Sequence, residues 1–272
     1  MTGPIVFYRG GALGDFLLTL PLLEAARSYG SHIKLYARAN YFCLLDQNWD
    51  WLEKGDIDEN TDLFTNLSKS SQVISFWQDL GWQKQAKAAG ASSTFALNPR
   101  PETGARFIQQ AIDSLGWNLP SGWNHKSYLG NHWRGGDQTL WIHPGSGGEF
   151  KNLPPSYYHE TANQWLESRE DRKVIFSFGE ADHKLLSDFK ESELFQSPRI
   201  EVLNSLNLQE LRDQMVLRAD KFLGNDSGPG HLAANLGIPV EIGFRGTNQS
   251  VWKPTGSRVK TYDWDSDSKR IL

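Results

Sequence analysis

The sequence predicts an α/β protein of two lobes, each built on a parallel β-sheet with helices on both faces, and three observations predict it. Short apolar runs alternate with amphipathic segments from one end to the other, the pattern of successive β-α-β units. A stretch rich in Gly, Pro, Asn and Trp, residues 117–136, has no period of 2 or 3.6 and interrupts that alternation. The 272 residues fall into two parts of similar size around it, each long enough for a small domain.

In the first part the runs predict strands at Ile5–Tyr8, Ile33–Ala37, Val73–Trp77 and Thr94–Leu97, with helices around Asp15–Tyr29, Trp82–Ala89 and Thr103–Leu115. In the second they predict strands at Thr139–His143, Lys173–Phe178, Ile200–Leu203, Lys221–Leu223 and Val240–Phe244. Helices are expected there at Ser156–Ser168, Asp182–Lys190, Leu208–Leu217 and Pro229–Leu236. The lobes are expected to span 1–133 and 134–272, with a short polar tail after Trp252. Sheets of this kind bind ligands outside the carboxyl ends of their strands, so the chemistry is expected in a cleft shared by the two lobes.

Composition narrows the function classes. A net charge of −4 gives no general attraction to nucleic acid or to an anionic membrane. The single cysteine, Cys43, excludes an internal disulfide and a cysteine-based zinc site. No apolar run approaches the roughly 20 residues that span a bilayer, and the opening Met-Thr-Gly-Pro leads into a strand without a basic stretch or cleavage site. A cytoplasmic protein is expected. Most of the eleven tryptophans are expected to fill cores, although such rings also stack on sugars.

Three segments carry chemistry. The first, Arg9-Gly10-Gly11-Ala12-Leu13-Gly14-Asp15, joins the first strand to the first helix, where Gly11 and Gly14 permit a tight turn and close approach of a ligand. Asp15 reads either as an N-cap carboxylate or as a general base that takes a proton from an attacking hydroxyl. The glycine order is not that of a dinucleotide-binding turn, which argues against hydride transfer. The second, His143-Pro144-Gly145-Ser146-Gly147-Gly148-Glu149-Phe150-Lys151, is a small-residue loop whose N–H groups suit a phosphate. Ser146 adds a hydroxyl, and Lys151 is either the counter-charge or a solvated lysine. It lacks the P-loop order. The third, Asn225-Asp226-Ser227-Gly228-Pro229-Gly230-His231, runs from a buried strand into an apolar helix whose amino end is a natural seat for a diphosphate. Asp226 and Ser227 also read as caps, and His231 as a packed side chain.

Together the three resemble glycosyltransferase family 9, the bacterial heptosyltransferase family. The resemblance rests on Gly11–Asp15 followed by Leu17–Pro21, on His143-Pro144-Gly145 leading to Lys151, and on Asn225–Gly228 with His231. It implies the GT-B fold of two facing Rossmann-like lobes, the first holding a glycan or glycolipid acceptor and the second a nucleotide diphosphate sugar, ADP-linked in most of that family. Asp15 falls on the family's catalytic base. Ser146, Gly147 and Lys151 fall on its diphosphate loop, and Asp226, Ser227, Gly228 and His231 on its second phosphate turn. Leu206 falls on a position that packs on the base, while Glu180 and Asp182 stand where ribose hydroxyls bind. The implied reaction is an inverting displacement with no metal and no cofactor, in which Lys151 and the amides near Ser227–Gly230 stabilise the departing charge. It implies a place in lipopolysaccharide-core synthesis, with at most peripheral contact with the inner face of the membrane. Asp56-Ile57-Asp58 and Asp263–Asp267 are read as solvated loops, and Arg38, Arg100 and Arg106 either as ordinary surface arginines or as contacts for an anionic acceptor. A nucleotide-sugar epimerase of the same fold and an inactive binding protein are the rival readings.

Overall fold

Ile5-Val6-Phe7-Tyr8 is buried at every position, as a strand must be when helices cover both faces of its sheet. The computed structural model describes residues 3–59, 64 and 67–267, and this strand, β1, is the centre of its first sheet. The chain divides into two units, residues 1–123 and 124–272.

In the first unit β1 (Ile5–Tyr8) leads to α1 (Leu13–Ala26), β2 (Ile33–Ala37) and β3 (Leu52–Asp56). β4 (Gln72–Ser75), α2 (Leu80–Ala88), β5 (Ser93–Ala96) and α3 (Phe107–Leu115) follow. The sheet order is β3-β2-β1-β4-β5, with every pair parallel. Helix α1 is apolar nearly all round and is buried from Asp15 to Leu23, which suits a helix pressed into a core rather than laid on a surface. Strand β3 was not expected, because only Leu52 of its five residues is buried and Glu53 and Lys54 face solvent. Helix α3 begins at Phe107 rather than Thr103, since Gly104 turns the chain with φ +98 just before it.

The second unit runs β6 (Thr139–His143), α4 (Pro155–Ser168), β7 (Lys173–Phe178), α5 (His183–Lys190), β8 (Ile200–Asn204) and α6 (Leu208–Arg218). It continues with β9 (Lys221–Asn225), α7 (Gly228–Asn235), β10 (Val240–Phe244), the short α8 (Gln249–Trp252), β11 (Val259–Asp263) and the short α9 (Trp264–Asp267). Its sheet order is β11-β10-β9-β6-β7-β8, again parallel throughout. The order reverses between β6 and β9, which makes that point the place where such a sheet opens a crevice. Asp263, expected in a solvated loop, closes β11, and what reads as a polar tail pairs along the whole of β10.

The division between units falls ahead of the expected 133/134 boundary because residues 124–133 bond to the second unit. Leu129 N–H donates to Asn235 O at 3.0 Å, His132 N–H to Leu236 O at 2.9 Å, and Trp133 Nε1 to Asp220 O at 2.9 Å. Of the tryptophans, Trp49, Trp82 and Trp141 are buried, whereas the others are half-buried plates such as Trp165, over which Arg172 lies at 3.9 Å. Trp77, Trp165 and Trp264 are packed against the cores as well. Among the described residues no helix is long and apolar enough to cross a membrane.

Trp141 is fully buried in β6, and its Nε1 donates to Ser177 Oγ at 2.8 Å. Trp141→Ala should therefore cost about 3–5 kcal/mol of stability, read as a lowered midpoint in urea denaturation.

Candidate active site

The apolar strands of the second unit end together, and their polar continuations meet. β6 ends at His143, β7 at Phe178 and β9 at Asn225, and the loops that follow enclose a cavity of about 240 Å³. Its walls include Ser146 and Gly147 from the first loop, Glu180 and Asp182 from the second, Leu206 from the turn after β8, and Ser227 and Gly228 at the start of α7. Seven of the residues expected to hold a nucleotide sugar thus line one space at the crevice point of the sheet. Ser205, with φ 54, turns the chain immediately before Leu206.

A buried amide holds the two phosphate-type loops against each other. Asn225 Oδ1 accepts from Tyr158 Oη at 2.6 Å and from Leu153 N–H at 3.1 Å, and its Nδ2 donates to Pro144 O at 2.6 Å. Ser146 spends its hydroxyl inside the loop, where Gly148 O lies at 2.8 Å and Asn152 Oδ1 at 2.7 Å, so it shapes the turn rather than pointing into the cavity. Nothing stands within 4 Å of a methyl placed on Gly147, whose backbone therefore lies open beside the cavity. At Gly145 the same methyl would meet Asp182 Oδ1 at 2.2 Å. Asp182 also accepts Gly179 N–H at 2.8 Å and stands 3.8 Å from His143 Nε2, so its carboxylate braces the two loops. Glu180 is exposed at the rim. Ser227 lines the cavity as a residue, and its Oγ is buried with no hydrogen-bond partner and no capping bond, a polar atom that the protein itself leaves unsatisfied.

Lys151, Asp226 and His231 form a cluster of their own. Lys151 Nζ donates to Asp226 Oδ2 at 3.1 Å, Thr247 Oγ1 donates to the same oxygen at 2.9 Å, and His231 Nε2 lies 3.4 Å from Oδ1. Lys151 is therefore a paired lysine, and neither it nor Asp226 nor His231 lines the cavity. Burial alone would push the Asp226 carboxyl up, but the contacts of His231 and Lys151 outweigh it and bring it down to about 2.

In the first unit Asp15 sits in the third position of α1, not at the cap. Its Oδ2 accepts Ala12 N–H at 2.9 Å, and its Oδ1 takes Arg9 Nη2 at 2.8 Å and Arg100 Nη1 at 2.9 Å. Burial raises its carboxyl, and the charge of Arg9, the hydrogen bond from Arg100 and the Ala12 amide together more than reverse that and lower it. Gly11 takes φ +116, and a methyl there would meet Asp15 Oδ2 at 2.6 Å, so both the turn and the carboxylate require glycine. Gly14 lies in the first turn of α1. Arg9, Asp15 and Arg100 line a second cavity of about 220 Å³ with Phe76 and Trp77.

The model of glycosyltransferase family 9 (heptosyltransferase) matches residues 106–268. The chain belongs to that family. A curated member, lipooligosaccharide heptosyltransferase 2 of Campylobacter jejuni, is 30% identical over 136 residues, which cover 48% of this chain and 41% of that protein. The chain is thus matched to well under half of that relative's length. The glycosyl transferase family 9 structure from Veillonella parvula superimposes with a TM-score of 0.71 over 96% of this chain and 87% of its own, at 17% identity. E. coli heptosyltransferase WaaC, solved with ADP, gives 0.67 over 96% and 93% at 14% identity. At such identities the likeness is one of fold.

Several residues that shape these two cavities and the cluster beside them are not evident from the sequence. Arg9 is written in the first motif, but nothing local says that it pairs with Asp15, although a charge between an apolar strand and a glycine turn is itself a signal. Arg100 reads as a surface arginine because its partner lies 85 residues away. Asn225 and Thr247 resemble ordinary turn residues until the loops they join are seen.

Asn225→Ala would leave the Leu153 N–H and the Tyr158 hydroxyl buried without an acceptor. Unpaired groups of this kind cost about 1–3 kcal/mol each, and adding Tyr158→Phe should recover part of the loss in urea denaturation. Asp226 has its folded value below its unfolded one, so its stabilisation is present above about pH 4 and is lost as the pH falls towards 2. The stability gap between the native protein and Asp226→Asn should therefore close over that interval.

Proposed function

We propose that this protein is an inverting, metal-independent glycosyltransferase that moves a sugar, a heptose or a close relative, from an ADP-linked donor to a hydroxyl of a lipopolysaccharide core or another glycan. The cavity of the second unit carries the proposal. It brings Ser146, Gly147, Glu180, Leu206, Ser227 and Gly228 around one space at the crevice point of a parallel sheet, and the hydroxyl of Ser227 has no protein partner. The α7 amino terminus adds unpaired N–H groups and its partial positive charge, which suit a diphosphate. Phe178, Leu206, Leu211 and Pro229 give an apolar side suited to a base, and Glu180 at the rim suits ribose hydroxyls. The presence of ADP in the E. coli relative's structure supports the choice of nucleotide.

In the reaction the acceptor hydroxyl attacks the anomeric carbon as the bond to the diphosphate oxygen breaks. Asp15 receives the hydroxyl proton. The departing diphosphate takes the electron pair, and its charge is met by the α7 amides, with Lys151, held by Asp226 outside the cavity lining, adding positive charge from beyond it. Donors fixed before the reaction stabilise such charge without a cation, each worth about 3–4 kcal/mol of barrier. The acceptor is part of a membrane-borne glycan, and the protein works at the cytoplasmic face in no more than peripheral contact.

Asp15→Asn should lower transfer about 10²–10⁴-fold while ADP binding by calorimetry stays within experimental error of the native value. Full transfer by the variant would remove Asp15 from the role of base. Failure of the native protein to bind any nucleoside diphosphate would remove the reaction itself.

A further inference from the structure

Two guanidinium groups meet one carboxylate oxygen in the first unit, and they are held in different ways. Arg9 is 3% exposed and lies under Phe76 and Phe107, whose ring centres are 4.0 and 5.2 Å from its guanidinium carbon. It also donates from Nε to the Asp15 carbonyl at 3.2 Å. Burial brings its pKa down to about 10, against the pull of Asp15, so it stays charged at neutral pH. Arg9 is a fixed part of the wall. The Arg100 side chain is 67% exposed, and its further tether is a 3.3 Å contact from Nη1 to Pro99 O. Arg100 can leave without uncovering the core.

The occupancy of Asp15 makes that difference matter. A carboxylate offers about four lone-pair positions, two on each oxygen. Oδ1 receives both arginines and Oδ2 receives the Ala12 amide, so both positions of Oδ1 are taken on a carboxylate that lines the cavity together with Arg100. Two arginine charges against one carboxylate also leave the cavity floor with an excess of one positive charge. The remaining polar neighbours are uncharged: Thr19 Oγ1 donates to the Asp15 carbonyl, and Tyr41 Oη, from the turn at 39–44, donates to Gly11 O.

We propose that Arg100 is a detachable cover on Asp15 Oδ1, drawn off by an anionic group of the acceptor, a carboxylate or a phosphate, so that the acceptor hydroxyl takes the vacated position. This rests on Asp15 being the base. In the step itself the hydroxyl proton passes to Oδ1, the acceptor oxygen bonds to the anomeric carbon, and the bond to the diphosphate oxygen breaks with its electrons. Arg9 stays and keeps the carboxylate ionised before the proton arrives. Of the two cations that lower the Asp15 carboxyl, one is then neutralised by the incoming anion, which strengthens the base when the site is filled. An empty site holds Oδ1 masked, and an acceptor without the acidic group leaves that oxygen masked.

The test is the carboxyl signal of Asp15 by carbon NMR, in protein labelled at aspartate, with Asp15→Asn to assign it. Inorganic phosphate and glucuronate are titrated separately at fixed ionic strength. In the native protein one or both anions should saturate and move the Asp15 titration to higher pH; response to phosphate alone marks a phosphoryl group, and to glucuronate alone a sugar acid. Arg100→Ala should start from the raised position, show no further movement, and bind the anion about tenfold or more weakly, as loss of a charged hydrogen bond requires. Arg100→Lys, a point charge without the fork, should respond in between. A native protein that responds to neither anion, or an Arg100→Ala protein that responds as the native one does, overturns the proposal. Transfer by Asp15→Asn bears only on the base, since the NMR result for Arg100 does not depend on turnover.

Discussion

The buried side-chain amide of Asn225 is the contact on which the second unit's site depends. It stands at the end of β9, where the apolar strand can go no further into solvent, and uses both ends of its amide on the segment after β6: the carbonyl on Leu153 and Tyr158, the NH₂ on Pro144. No apolar side chain can do both, and a charged one would be expensive in that place. Because the two loops are tied there, Gly147 with its open backbone and Ser227 with its unpartnered hydroxyl line one cavity instead of two unrelated turns. Asp182 adds a second tie on the other side, between the loop after β7 and Gly145.

The two buried carboxylates, Asp15 and Asp226, show how the same group is placed in opposite circumstances. Asp226 is enclosed by Lys151, His231 and Thr247 and does not line the cavity. Asp15 is almost as well covered, yet one of its partners comes from an exposed side chain on a distant segment. Burial opposes ionisation in both, and the contacts of their polar partners overcome it in both. What separates the two is that Asp15 shares an oxygen with a largely exposed arginine, whereas Asp226 has no such partner.

Much of the fold is legible in the sequence, and the exceptions have a common cause. β6, β7 and β10 begin and end where their apolar runs do, because both faces of a central parallel strand must be apolar. β3 and β11 stand at sheet edges, where that requirement lapses: Leu-Glu-Lys-Gly-Asp and Val-Lys-Thr-Tyr-Asp have no such run to read. The site divides in the same way. Glycine-rich turns and the start of α7 announce themselves because backbone geometry demands particular residues there. The pairing of Arg100 with Asp15, and the bracing done by Asn225 and Asp182, arise from approach in space between distant segments, for which a linear pattern holds no signal.

β11 has a further consequence for how the molecule behaves in company. Without it β10 would be the border of the sheet, and Val240-Glu241-Ile242-Gly243-Phe244, buried at four of its five positions, would present a free row of amides and carbonyls on an apolar ribbon. Such a border invites a strand from another molecule. With β11 in place the border is a shorter-lived temptation, a mixed polar strand with Lys260 exposed to solvent. The segment that reads as a spare tail acts as a hem, and what it protects is solubility.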